Sequence, residues 1–123
     1  MKRGAGARAT GNVWESKAEE FLVASGLKIL ARGYTCRLGE LDIVGTDGRQ
    51  LIVVEVKARA RSSTALPAVG PRKRRRIINA TRHYLMRNPI WFSRPVRFDV
   101  IGIERIESES PEFQWIRNAF DAA

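Results

Sequence analysis

Apolar positions change period several times along this chain, and each change marks an element. Trp14, Ala18, Phe21, Leu22 and Ser25 recur at helical spacing. They predict a helix capped by Thr10 or Asn12 and stopped at Gly26. Glu15 lies at the edge of its apolar face, and Glu20 points away from it. Lys28 to Arg32 reads as a first strand, with Gly33 and Tyr34 leading out of it. Leu41 to Val44 reads as a second strand, and Asp47-Gly48 signals a hairpin turn. Gln50 to Lys57 is the third strand. Its run of aliphatics from Leu51 to Val54 implies burial on both faces, as at the centre of a covered sheet. Residues 58–70 make a long loop, which in so small a domain is often functional. Pro71 suits the first position of a helix that runs to about Arg87, with Ile77, Ile78, Thr81 and Leu85 inward. Pro95 precedes a fourth strand, Val96 to Ile103, and Phe113 to Ile116 reads as a short fifth. The order α-β-β-β-α-β-β predicts an α/β fold with a mixed central sheet flanked by helices.

Length and composition narrow the picture. A chain of 123 residues with 44% hydrophobic content fits one globular domain. At this size roughly two-thirds of the unfolded surface is buried on folding, so no staple is needed. The single cysteine, Cys36, rules out an internal disulfide and suits a small, half-buried residue in a reducing compartment. Residues 1–10 read as a flexible basic arm, and residues 11–123 as the domain. The arm is followed by no apolar signal core, and no apolar run is long enough to span a bilayer. A cytoplasmic location without membrane association is expected.

Charge is distributed unevenly. The net charge is +9, and from Lys57 to Phe98 there are twelve Lys or Arg residues and no acid. From Asp99 onward there are six acids and two Arg residues. Such asymmetry focuses a positive field on one part of the molecule, and nucleic acid is the commonest partner for it. A solvated basic face is the plainer alternative. A membrane surface fits less well, because the basic helix lacks a broad apolar face with aromatic anchors.

The candidate chemistry lies where apolar strands end in acids. Burying a carboxylate among branched aliphatics is costly unless something compensates it. Alternation puts Glu55 and Lys57 on one face of the third strand, and Glu40 and Asp42 on one face of the second. If the two strands pair through Asp47-Gly48, Asp42 and Glu55 reach one point. Two carboxylates suit a hard divalent cation such as Mg²⁺, and the Val56 carbonyl offers another oxygen. Lys57 could then orient a water, accept its proton, or stabilise charge developing on a phosphate. The bland alternative is a buried acid–lysine ion pair of little net stability.

These residues resemble a known pattern. Asp42…Glu55-Val56-Lys57 is similar to the PD-(D/E)xK motif of restriction-endonuclease-like nucleases. The wider string resembles the YraN family of small bacterial proteins. It runs through Gly11-x-x-x-Glu15-x-x-Ala18, Gly39-Glu40-Leu41-Asp42-Ile43-Val44, Val54-Glu55-Val56-Lys57-x-Arg59, Lys73 and Arg97-Phe98-Asp99-Val100. The resemblance covers Gly11 to about Ile103 and implies the restriction-endonuclease-like fold, grouped with Holliday junction resolvases. It makes Asp42 and Glu55 metal carboxylates, Lys57 the catalytic lysine, and Glu15 a third acid acting through water. Glu40 becomes a supporting residue or an arginine's partner. Two departures stand out: Gly33 occupies a position where the family often has Asn, and Leu41 rather than proline precedes Asp42.

The basic residues complete the expectation. Arg59 and Arg61, on the loop beside the site, could clamp flanking phosphates. Arg72 and Lys73 open the basic helix, whose N-terminal dipole attracts phosphate, and the resemblance singles out Lys73. Asp99 is expected to be structural, His83 a packing residue, and Trp91 and Phe92 core or lid residues. The implied activity is Mg²⁺- or Mn²⁺-dependent endonuclease action on DNA, with branched DNA and a homodimer suggested by the resolvase likeness. The alternative is a non-catalytic nucleic-acid-binding module or adaptor on the same fold.

Overall fold

A computed structural model describes residues 5–60 and 66–122, with side chains from residue 13 onward. Helix α1 spans Ala5–Ala24, and strands β1, β2 and β3 span Lys28–Cys36, Gly39–Thr46 and Leu51–Ala58. Helix α2 spans Pro71–Arg87, a 3-10 turn covers Pro89–Trp91, and strands β4 and β5 span Val96–Glu104 and Glu112–Phe120. The expected element order holds. One sheet carries the strands in the order β1-β2-β3-β4-β5. Every neighbouring pair is antiparallel except β3 and β4, which run parallel because α2 crosses over between them.

The central strand explains the layers. Leu51 and Val53 face α2 and pack with Leu41, Val44, Ile77, Ala80, Tyr84 and Phe98. Ile52 and Val54 face α1 and pack with Ala18, Leu22, Ile43, Ile101 and Ile103. The aliphatic run is thus buried on both faces, as its composition requires. Each such side chain, fully buried, contributes about 2 kcal/mol of transfer free energy. No helix among the described residues is long and apolar enough to cross a membrane.

Several boundaries differ from expectation for identifiable reasons. Helix α1 begins at Ala5, not at Thr10 or Asn12. Alanine and arginine are strong helix formers, so the segment's polarity did not exclude helix. Residues 1–4 lie outside the described residues. Ser25 is exposed rather than on the inner face, since the helix has ended at Ala24. On α2 the inner face is Ile77, Ala80, Thr81 and Tyr84, while Ile78 and Leu85 sit half-buried at its margins. Strand β1 continues through Gly33 to Cys36, and Gly33 has φ 63°. That left-handed conformation is open to glycine and, among other residues, most readily to Asn or Asp. Glycine for asparagine at this position is therefore a conservative change of backbone chemistry.

Asp99 proves structural, as expected. Strand β5 bulges opposite it, the register shifting between Phe98 and Val100. The carboxylate fills that bulge, accepting from Arg97 Nε and Nη2 at 2.9 and 2.8 Å, from Trp115 Nε1 at 2.9 Å and from the Asn118 N–H at 2.8 Å. A buried charge so fully hydrogen-bonded is tolerable, but the partners depend on it. Asp99→Ala is expected to lower unfolding free energy by about 3 kcal/mol in urea titration, through the unpaired Arg97 and Trp115 it leaves. A loss below about 1 kcal/mol would show that the network is not needed.

Candidate active site

The site forms where β2 and β3 stop pairing. Their ladder runs from Thr46↔Leu51 to Ile43↔Val54 and ends there. Two residues further, the Val56 N–H has no β2 partner in this ladder. It donates instead to Asp42 Oδ2 at 2.9 Å. Side-chain alternation breaks at the same place: Leu41 and Val44 pack in the α2-side cluster and Ile43 in the α1-side cluster. Asp42 thus stands at a seam between the strands, where its charge bears on both Glu15 and Glu55.

Each helix delivers one more group to this seam. Helix α1 supplies Glu15. Helix α2 supplies Lys73, whose Nζ lies 3.0 Å from Glu55 Oε2. Glu55 is nearly sealed, at 7% exposure. Burial, then the neighbouring Asp42 charge, push its carboxyl up from 4.5 to about 7, against the pull of Lys73. Glu15 also rises to about 7, through burial and then the charges of Asp42 and Glu40, opposed by Arg32. The ammonium of Lys73 is held more firmly in its charged form, chiefly by Glu55. Four acids bear on a place where Lys73 is the nearest ammonium, so the cluster favours added positive charge. At neutral pH Glu55 is therefore divided between its neutral and charged forms.

Lys57 has a different attachment from the one expected. Its Nζ donates to the Ala68 carbonyl at 2.7 Å, tying the end of the loop to β3. Pro67 supports that tie by packing on Gly102, where an added Cβ would come within 2.4 Å of its Cγ. Val69 joins the core and delivers Gly70 to the start of α2. Glu55, Lys57 and Lys73 consequently line one small cavity of about 180 Å³ with Ala68, Val69 and Gly70. Among the described residues, no three His, Cys, Asp or Glu side chains close into a metal cage. Asp42, Glu55 and the Val56 carbonyl are the oxygen atoms here that could hold a cation retaining most of its water ligands.

The basic residues separate into engaged and outward groups. Arg59 lies beside β4, its backbone bonded to Ile103 and Ile106 and its guanidinium 3.0 Å from Glu104. An ion pair therefore already engages its guanidinium. Arg61 lies outside the described residues. Arg72 is exposed on the first turn of α2. Glu40 is exposed beside Asp42 and acts on Glu15 and Lys73 through its charge. His83 Nδ1 meets the Tyr34 hydroxyl, consistent with packing. Trp91 packs against the core margin and Phe92 is exposed.

Sequence reasoning placed Lys73 on a phosphate and missed its contact with Glu55. The available signal was topological. A helix entered through a loop from the end of β3 presents its first turn to that strand end, and Lys73 is the third residue of α2.

The sequence model of the uncharacterised protein family UPF0102 matches residues 14–103. The chain belongs to this family. It is the YraN family of the resemblance. A UPF0102 protein of Alcanivorax borkumensis is 42% identical over 113 residues, covering 90% of each chain. One from Pseudomonas paraeruginosa is 39% identical over 121 residues, covering 96% of this chain and 97% of the relative. One from Ectopseudomonas mendocina is 39% identical over 114 residues, covering 91% and 94%. The UPF0102 matched region includes Glu15, Asp42, Glu55, Lys57 and Lys73, and stops short of β5.

The raised carboxyls fix the sign of a pH effect. Below pH 4.5 the folded and unfolded chains both hold these protons. Between 4.5 and about 7 the unfolded chain releases them while the folded chain keeps them, so stability falls as pH rises. In chelator, the thermal midpoint is expected to fall between pH 5 and pH 8, and less steeply in Glu15→Gln. An equally steep fall in that variant would contradict the assignment.

Proposed function

We propose that this UPF0102 protein is a metal-dependent endonuclease that hydrolyses phosphodiester bonds in DNA, including branched DNA. One observation carries the reading. At the end of the β2–β3 ladder Asp42 is held by the Val56 N–H, its charge bears on Glu15 of α1 and Glu55 of β3, and Lys73 from the basic start of α2 pairs with Glu55. A structural ion pair would need one acid and one base. Here the acids outnumber the ammonium paired with them, and two carboxyls are driven toward neutrality by burial and then by the Asp42 charge.

In this reading Asp42, Glu55 and the Val56 carbonyl hold Mg²⁺ or Mn²⁺. The ion supplies Lewis acidity toward a phosphate oxygen and lowers the pKa of water. Asp42 is oriented in advance, because its Oδ2 is fixed by the Val56 N–H. Glu15 receives hydrogen bonds from water on the α1 side. Lys73, now paired with Glu55, would be the cation of α2 placed to meet the phosphodiester backbone. Lys57, anchored at Ala68 beside Glu55, stabilises the charge that develops on phosphorus-bound oxygen, and the loop that holds it positions the ammonium.

A second reading, a nucleic-acid-binding module without catalysis, draws on one specific feature. Both lysines already have partners, Lys73 on Glu55 and Lys57 on Ala68. Cleavage separates the two readings. With Mn²⁺ or Mg²⁺, the protein is expected to cut linear or branched DNA. Asp42→Ala, Glu55→Ala and Lys57→Ala should each lower the rate at least about 100-fold, a loss typical of removing a transition-state donor. Their DNA affinity should stay within a few-fold of the parent. Intact binding with no cleavage of DNA or RNA would favour the non-catalytic module.

A further inference from the structure

The outer side of α2 carries basic residues that the carboxylate site does not use. Of the cations that open this helix, Lys73 turns to Glu55. Arg74 donates from Nε to the Val69 carbonyl at 2.7 Å and lies over the Phe120 ring at 5.5 Å. Arg75 is exposed, and none of the ion pairs among the described residues uses it. Two turns on, Arg82 is exposed with only a 3.3 Å contact to Asn79 Oδ1. These side chains are not scattered. Arg74, Arg75, Ile78, Asn79 and Arg82 line one groove of about 430 Å³ between α2 and the end of the chain after β5, with Asp121 the one acid in its wall.

The groove and the carboxylate cavity meet neighbouring residues at the start of α2. Gly70 lines the cavity and Pro71, the next residue, lines the groove. From Pro71 to Arg82 the helix rises about 16 Å at 1.5 Å per residue. One strand of duplex DNA carries a phosphate about every 3.4 Å of axis, so that length matches several consecutive phosphates. Arg74, at the near end of the groove, also stands where a helix least favours a cation. The first turn of α2 has no acid, and its positive dipole end adds to the arginine charges. An anionic chain lying along the groove relieves that repulsion, whereas a small anion would meet only one end of it.

We propose that this groove binds the phosphodiester backbone flanking the cleaved bond, with Arg75 and Arg82 as its principal phosphate contacts. The strand leaves the carboxylates at Gly70–Pro71 and follows α2 toward Arg82. This deepens the nuclease reading by naming the path of the substrate, and the groove residues take no part in the reaction itself.

The test is equilibrium binding of a fluorescent 20-base-pair DNA duplex in chelator, followed by anisotropy from 50 to 300 mM NaCl. Arg75→Gln/Arg82→Gln should weaken binding about tenfold at 100 mM NaCl. It should also reduce the slope of log K against log salt by about 1.8, the value for two lost phosphate contacts. Lys28→Gln/Arg49→Gln removes equal charge near the β2–β3 hairpin and should change affinity less than about twofold, as expected for charges outside the contact. Arg75→Lys/Arg82→Lys should restore most of the slope. Identical effects of the two Gln pairs, with the thermal midpoint of each unchanged, would overturn the groove. The nuclease reading fails separately: wild-type protein that never cuts with Mn²⁺ refutes that reading even where the groove mutants lose their salt slope.

Discussion

Everything at the candidate site depends on one hydrogen bond, from the Val56 N–H to the Asp42 carboxylate. A buried backbone donor without a partner is costly, and β3 runs on past the point where β2 can pair with it. Asp42 resolves that by substituting a side-chain oxygen for a strand carbonyl. The substitution fixes the carboxylate at a gap between strands and brings it to Glu55 and Glu15. The parallel β3–β4 pair then extends the same end of the sheet to Ala58, giving the loop and α2 a rigid platform.

Electrostatics follow from that geometry. Burial raises the carboxyls of Glu55 and Glu15, and the neighbouring Asp42 charge adds to the effect. Lys73 offsets part of this and belongs to a helix start otherwise crowded with arginine. The two charge excesses are complementary: each is unfavourable alone, and they meet at the first turn of α2. A cation at the carboxylates and a polyanion along the helix would relieve both. Asp99, by contrast, has its hydrogen-bonding capacity taken up by Arg97, Trp115 and Asn118, which is why an equally buried acid on the adjacent strand is structural.

Much of this was legible in the chain. The aliphatic run Leu51 to Val54 announced a strand buried on both faces, Asp47-Gly48 announced the hairpin, and Pro71 announced the start of α2. The carboxylates were legible because acids ending apolar strands are expensive. What alternation could not show was its own failure between Leu41 and Val44, since a break in pleat is set by tertiary pairing. The bonds of Lys57 to Ala68 and of Lys73 to Glu55 were hidden for a related reason. They depend on how residues 66–70 fold back over Gly102, a contact permitted by a missing Cβ and marked by no local pattern. Arg59 similarly reads as a loop cation until Glu104 is seen beside it.

The central claim is that the seam between β2 and β3 is a divalent-cation site. Anomalous diffraction from crystals soaked in Mn²⁺ near pH 7.5 tests it most directly. The account predicts an anomalous peak within coordination distance of the Asp42 and Glu55 carboxylates and the Val56 carbonyl, with the Lys73 ammonium withdrawn from Glu55. No peak there at saturating Mn²⁺, with the Lys73–Glu55 ion pair intact, would contradict it.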